Sequence, residues 1–182
     1  MARRKKNNQI ITDVHITGIA DRGQSVGRTS DGQVVFVQEG GVPGDVVDVL
    51  VKRKKKSMLQ AVVREFKSYS SDRVEAPCRH FGICGGCKWQ NLDYKAQLCQ
   101  KHQNVKDAIQ RLAKLNPEIV LPIRGCEQQY QYRNKLEYSF STKRWLTQDE
   151  VSSDEKILQQ GALGFHKAGF FATLYNYGLI GV

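Results

Sequence analysis

No run of apolar residues approaches the roughly 20 needed to cross a bilayer as a helix, so a helical membrane anchor is not expected. A secretory signal is also missing. Met1–Lys6 is basic, as such a signal begins, but Asn7, Asn8 and Gln9 follow where an apolar stretch is required. Cysteine is scarce and odd in number, 5 in 182 residues, with three of the five in one short stretch. That excludes the evenly paired framework of a small secreted disulfide protein, and the chain reads as cytoplasmic. Acidic residues are the remaining shortage: 18 Asp and Glu stand against 28 Lys and Arg, a net charge of +10. Such a surplus favours a polyanionic partner, with nucleic acid the first candidate and a merely basic surface the alternative. Hydrophobic residues, at 40%, are plentiful enough for a packed core and against wholesale disorder. The length allows one ordinary domain or two small ones.

Residues 1–8 read as a disordered basic leader. From Ile10 to Phe66 short β-branched segments alternate with turn residues. Strands are expected at Ile10–Thr17, Ser25–Thr29, Val34–Val37, Asp45–Lys52 and Met58–Phe66. Asp31-Gly32 forms a hairpin signal, and Gly40-Gly-Val-Pro-Gly44 forms a second break. Five short strands without a helix predict a small closed barrel of the OB type, with an unspecialised β-sandwich as the alternative. Between the last two strands lie Lys52, Arg53, Lys54, Lys55 and Lys56, expected as a loop at a hairpin tip. Five consecutive cations cannot be buried. Presented at a barrel's edge they would attract phosphates in a salt-dependent manner; a solvated turn without a partner is the plainer reading.

Ser68–Arg73 is polar and reads as a linker. Beyond it Cys78, Cys84 and Cys87 lie in Cys78-Arg-His-Phe-Gly-Ile-Cys84-Gly-Gly-Cys87. Three soft thiolates on one loop suit an iron–sulfur cluster or zinc better than a hard cation. Gly85 and Gly86 leave the backbone free to aim Cys84 and Cys87 at one point. A fourth ligand is not obvious; His80, two residues from Cys78, is awkwardly close. From the residues alone zinc and iron–sulfur stay open, as do three unligated thiols. Asp93 is placed to cap a helix over 94–115, with Leu98, Val105, Ile109 and Leu112 at helical spacing and Asn116-Pro117 as the stop. Cys99, beside Leu98, is expected as a packed core thiol.

Tyr130–Ser141 alternates with a period of two. Tyr130, Tyr132, Leu136, Tyr138 and Phe140 share one face with Asn134, and Arg133 and Lys135 lie on the other. This predicts a half-buried strand whose outer cations touch phosphates or are simply solvated, with Asn134 needing a hydrogen-bond partner. Gln148–Lys156 reads as a loop or short helix and Leu163-Gly-Phe-His166 as strand. Ala172–Val182 is an apolar tail that wants something to pack against.

In order, Val35-Phe-Val37, Val42-Pro-Gly-Asp45, Cys78, Cys84-Gly-Gly-Cys87, Gln90, Leu92-Asp-Tyr94, Gln97-Leu98, Tyr132-Arg-Asn-Lys135 and Leu163-Gly-Phe-His166 resemble one family. It is the bacterial RNA (uracil-5-)-methyltransferases with a TRAM domain and an iron–sulfur cluster, the group that modifies 23S ribosomal RNA. The resemblance implies an OB-like TRAM barrel that binds RNA and a central α+β domain that holds a [4Fe–4S] cluster and contacts RNA. It also implies a C-terminal Rossmann-like domain that binds S-adenosylmethionine. That last domain's cysteine thiolate attacks C6 of uracil, so that C5 accepts the methyl group before a base removes the C5 proton.

By this likeness Cys78, Cys84 and Cys87 belong to the cluster, and Arg133 and Lys135 approach RNA. The likeness implies an α+β chain divided as leader 1–8, barrel 9–68, central domain 69–171 and atypical tail 172–182. The family's fourth cluster cysteine, adenosylmethionine glycine loop and catalytic cysteine have no counterpart here. The expectation is therefore an N-terminal portion, truncated or frame-shifted, that is inactive alone, with a stand-alone RNA-binding or zinc-binding module without catalytic activity as the alternative.

Overall fold

A computed structural model describes residues 9–20, 23–38, 40–55, 58–142, 146, 148–153 and 161–166. The leader, the tail from 172 and Lys56 lie outside these residues.

β-Branched segments form five strands: β1 (Ile10–Ile19), β2 (Ser25–Arg28), β3 (Val34–Gln38), β4 (Val46–Lys55) and β5 (Met58–Ser68). They close into a barrel in the order β1-β2-β3-β5-β4, antiparallel except for the β3–β5 pair. Closure leaves no sheet edge to be covered over the paired length. Alternate residues point inward, where Val14, Ile16, Val35, Val37, Val47, Val49, Val51, Leu59 and Ala61 form the core. Valine dominates because its compact branched side chain fills the narrow interior and fits the pleat.

Irregularities set the curvature. Asp13 has a positive φ of 54° at the register shift between Ile11 and Val14, and its N–H donates to Asp48 Oδ1 at 3.1 Å. Gly27 is required by closeness, since a Cβ there would lie 2.7 Å from Val14 Cγ1 and 2.8 Å from the His15 carbonyl.

Asp93 Oδ1 accepts the Lys95 and Ala96 N–H groups at 2.9 and 3.4 Å and starts α1 (Tyr94–Ala108). The helix tightens differently from expectation: Ile109–Ala113 forms a π-helical turn, and Lys114 ends it with a left-handed φ of 58°. Asn116 then caps a short 3-10 turn, Pro117–Ile119. No residue of α1 is buried, and Val105 and Leu112 are 50% and 83% exposed, so the apolar repeat does not face a core. Cys99 is exposed as well and not a packed thiol. The burial near this helix lies at its start, where Ile19, Val42 and Leu92 cluster with Trp89 and Ala96 packed against them.

The strand expected over Tyr130–Ser141 is reduced to β6 (Ser139–Ser141), paired with β7 (Ala162–Gly164). A strand needs a neighbour to receive its N–H and C=O groups, and among the described residues β7 supplies only three positions. Tyr130, Tyr132, Leu136, Tyr138 and Phe140 are all exposed. Asn134 is exposed too, so water can satisfy it and no buried partner is required. Gln148–Ser152 forms the short helix α2.

The chain divides into two compact units, Met1–Ala76 with Trp89–Glu127, and Pro77–Lys88 with Gln128–Val182. α1 thus packs with the barrel, while the cysteine loop groups with β6 and β7.

Candidate nucleic-acid interface

Within the first unit, the basic run is strand and not loop. Lys52–Lys55 are the end of β4 and all four are exposed, on both faces, because the buried alternation stops at Val51. β1 accompanies β4 only as far as Leu50, with Gln9 C=O accepting the Val51 N–H at 2.8 Å. The ladder with β5 shifts register between Val51 and Arg53, so Lys52 is an extra residue, and Arg53, Lys54 and Lys55 face Gln60, Leu59 and Met58. Such a bulge re-aims the side chains that follow it. The β2–β3 turn lies close by: Asp31 feels the charge of Lys54, and its carboxyl is held below the usual range chiefly by the Thr29 hydroxyl.

Not every cation of this unit is available. Lys67 bridges Glu65 at 3.0 Å and Asp48 at 3.3 Å, which raises its pKa.

The segment expected as a plain linker is instead part of a junction built around Asp45. Its carboxylate is fully buried and paired with Arg73, and it accepts the Val42 N–H at 2.8 Å and the Ser70 N–H at 2.9 Å. Arg73 also donates to the Gly40 C=O at 2.7 Å, which accepts from Asn91 Nδ2 at 3.2 Å. The guanidinium lies over the rings of Phe66 and Tyr69, 4.9 and 5.2 Å from their centroids. Gly44, with φ of 93°, leaves room for Ser70, whose Oγ would meet a Cβ at 2.7 Å. The Val42-Pro-Gly-Asp45 stretch therefore locks the segment after β5 onto the barrel.

In the second unit the cysteine loop meets Leu163-Gly-Phe-His166. Gly85 N–H donates to His166 C=O at 3.0 Å, and a Cβ on Gly86 would lie 3.3 Å from both Cys84 Sγ and the Phe165 ring. Two motifs far apart along the chain are thus in contact. Cys84 is buried with its Sγ accepting the Gly86 N–H at 3.2 Å, Cys78 is half-buried and Cys87 exposed, and no cysteine is in a disulfide. Burial and the Arg79 guanidinium lower the pKa of His80.

Chemically three thiols suit an iron–sulfur cluster. Geometrically, no three His, Cys, Asp or Glu side chains among the described residues are grouped to hold a metal ion. The donor set is thus right for a cluster, but its three sulfurs are not drawn together. Arg133 and Lys135 are exposed beside Leu136, Glu137 and Phe165 around a shallow depression, and Lys135 pairs with Glu137 at 3.1 Å. Cations and cysteines are thus distributed over two units: Lys52–Lys55, Cys99 and Cys126 in one, and Arg133, Lys135, Cys78, Cys84 and Cys87 in the other. No helix among the described residues is long and apolar enough to cross a membrane.

Residues 5–63 match the TRAM domain family, and the five-stranded barrel is a TRAM domain. Over a longer span the chain is homologous to RNA methyltransferases. An uncharacterized RNA methyltransferase of Bacteroides thetaiotaomicron is 44% identical over 153 residues, 84% of this chain and 33% of that protein. One from Porphyromonas gingivalis is 42% identical over 161 residues, 87% and 34% of the two chains. The 23S rRNA (uracil(1939)-C(5))-methyltransferase RlmD of Cupriavidus pinatubonensis is 37% identical over 137 residues, 72% of this chain and 29% of that protein. The chain spans about a third of the length of the curated relatives it matches, their N-terminal portion.

Proposed function

We propose that this chain is the RNA-binding N-terminal portion of an S-adenosylmethionine-dependent RNA uracil-5-methyltransferase of the cytoplasm, acting on 23S rRNA. The observation that carries the reading is the solvated basic end of β4 on a TRAM barrel, in a chain related throughout most of its length to RNA methyltransferases. Lys52, Arg53, Lys54 and Lys55, with Lys56 after them, contact phosphates, and Arg133 and Lys135 add contacts from the second unit. Long solvated cations on a rigid ladder release counterions from RNA when they bind it, so affinity falls steeply with salt.

Cys78, Cys84 and Cys87 are assigned to a [4Fe–4S] cluster of the whole protein. Because the thiols are not gathered, this assignment requires the loop to close around the metal, with a fourth ligand supplied from elsewhere. Anaerobic reconstitution with iron and sulfide tests it: about four irons per chain, lost in Cys84→Ser, support the cluster, while one zinc and no iron replace it with a structural zinc site. The binding role is tested by incubating the chain with 23S rRNA fragments and labelled adenosylmethionine. Salt-sensitive binding without label on uracil C5 is expected; methyl transfer by this chain alone would refute the division of labour.

A further inference from the structure

The outer face of the barrel carries an aromatic ring among cations that the basic run does not explain. Val26, Phe36, Gln60 and Arg53 are matched partners across β2, β3, β5 and β4. The row one step inward along the strands, Ser25, Val37, Ala61 and Val51, is wholly buried, and successive side chains alternate between faces, so the Phe36 row points outward. Phe36 is partly exposed there. The adjoining outward row holds Arg28 and Lys55, flanking Val34 and Met58. Neither row contains a carboxylate. The bulge at Lys52 makes this arrangement: it brings Arg53 and Lys55 into register with Gln60 and Met58 on the face that carries Phe36. Strand spacing places Arg53 about 10 Å from Phe36, within reach of a long side chain and one nucleotide.

We propose that this face is a base-stacking platform for single-stranded RNA, with one base on the Phe36 ring and its neighbouring phosphates on Arg28, Arg53 and Lys55. The proposal rests on the RNA-binding reading above and deepens it by naming the strand state of the partner and the residue that holds a base. Any base offers a π-face, so stacking is tolerant of sequence, while the three cations follow the backbone. A barrel of this architecture uses the face built on its second and third strands for oligonucleotides. The plainer alternative is that Phe36 only packs against its outward neighbours Val26 and Gln60, and the following experiment separates the two.

The 182-residue chain is titrated by fluorescence anisotropy with a single-stranded uridine-rich RNA of about 12 nucleotides and with an abasic oligomer of equal phosphate number. Phe36→Leu keeps an apolar group but removes the ring; Phe36→Tyr keeps the ring. Thermal melting confirms that each is folded. Phe36→Leu is expected to weaken RNA binding about fivefold or more, to leave abasic binding and the salt slope unchanged, and Phe36→Tyr to bind like the parent. Arg53→Gln is expected to lower the salt slope by about 0.7.

If folded Phe36→Leu binds RNA as the parent does, or loses RNA and abasic oligomer equally, the stacking platform is overturned while RNA binding stands. If the parent binds neither oligomer, both readings fall. Should Phe36→Leu unfold, Gln60→Glu decides. A carboxylate placed beside the ring on the outer face must weaken RNA binding, and unchanged affinity overturns the proposal.

Discussion

Replacing Arg73 by alanine removes the cation that neutralises a fully buried carboxylate, and its cost can be worked from the Asp45 junction. Asp45 would keep two backbone donors, at 2.8 and 2.9 Å, but no positive charge. Deleting one partner of a buried ion pair costs about 3–5 kcal/mol. The Arg73 side chain is 22% exposed, so water enters the vacated space and the lower end of that range applies. Loss of the stacking on Phe66 and Tyr69 adds about 0.5–1 kcal/mol. The sum, about 3–4 kcal/mol, is a large share of the roughly 5–15 kcal/mol that holds a domain folded. Urea unfolding followed by circular dichroism reads it as a fall in midpoint at unchanged slope. Arg73→Lys should recover only part, because an ammonium cannot reach Asp45 and the Gly40 carbonyl while lying on both rings. The double variant Asp45→Asn/Arg73→Met should be more stable than Arg73→Ala, since no buried charge is left unpaired. A loss under about 1 kcal/mol for Arg73→Ala would refute the reasoning.

Gly27→Ala should cost about 1–3 kcal/mol by forcing Val14 and the His15 carbonyl aside; a melting point equal to the parent's would contradict it. Leu59→Ala empties part of the barrel core and should cost about 2–5 kcal/mol, read in the same urea titration. The Thr29 hydroxyl stabilises the ionised form of Asp31, whose folded pKa is therefore below its unfolded value. Its contribution to stability is present above the ordinary carboxylate range and is lost as pH falls through the lowered value. Thr29→Val should move the Asp31 midpoint in an NMR titration upward, and an unmoved midpoint would assign the shift to another cause.

The barrel is legible because most of its strands carry a local signal, runs of valine and isoleucine, with Asp31-Gly32 or Gly44 where the chain must turn. The cap at Asp93 is equally local. What stays hidden depends on distant partners. Residues 130–140 alternate with a period of two, broken only at Asn134, yet alternation describes a face and not the neighbouring strand that would bury it. Leu98, Val105 and Leu112 likewise mark a stripe with no core behind it among the described residues. The Asp45–Arg73 pair joins positions 28 residues apart, and a shift of one residue at Lys52 decides which cations share a face with Phe36. Composition locates the charge, but register aims it.

The most direct test of RNA binding by the barrel is the salt dependence of affinity, compared between the parent and a variant with Lys52, Arg53, Lys54 and Lys55 all changed to Gln. For the parent, the logarithm of the RNA association constant should fall linearly with the logarithm of salt concentration. In the variant the slope should shrink by about 0.7 for each phosphate contact removed, approaching three in total. Equal slopes for the two proteins, at equal affinity, would show that the basic end of β4 does not hold RNA.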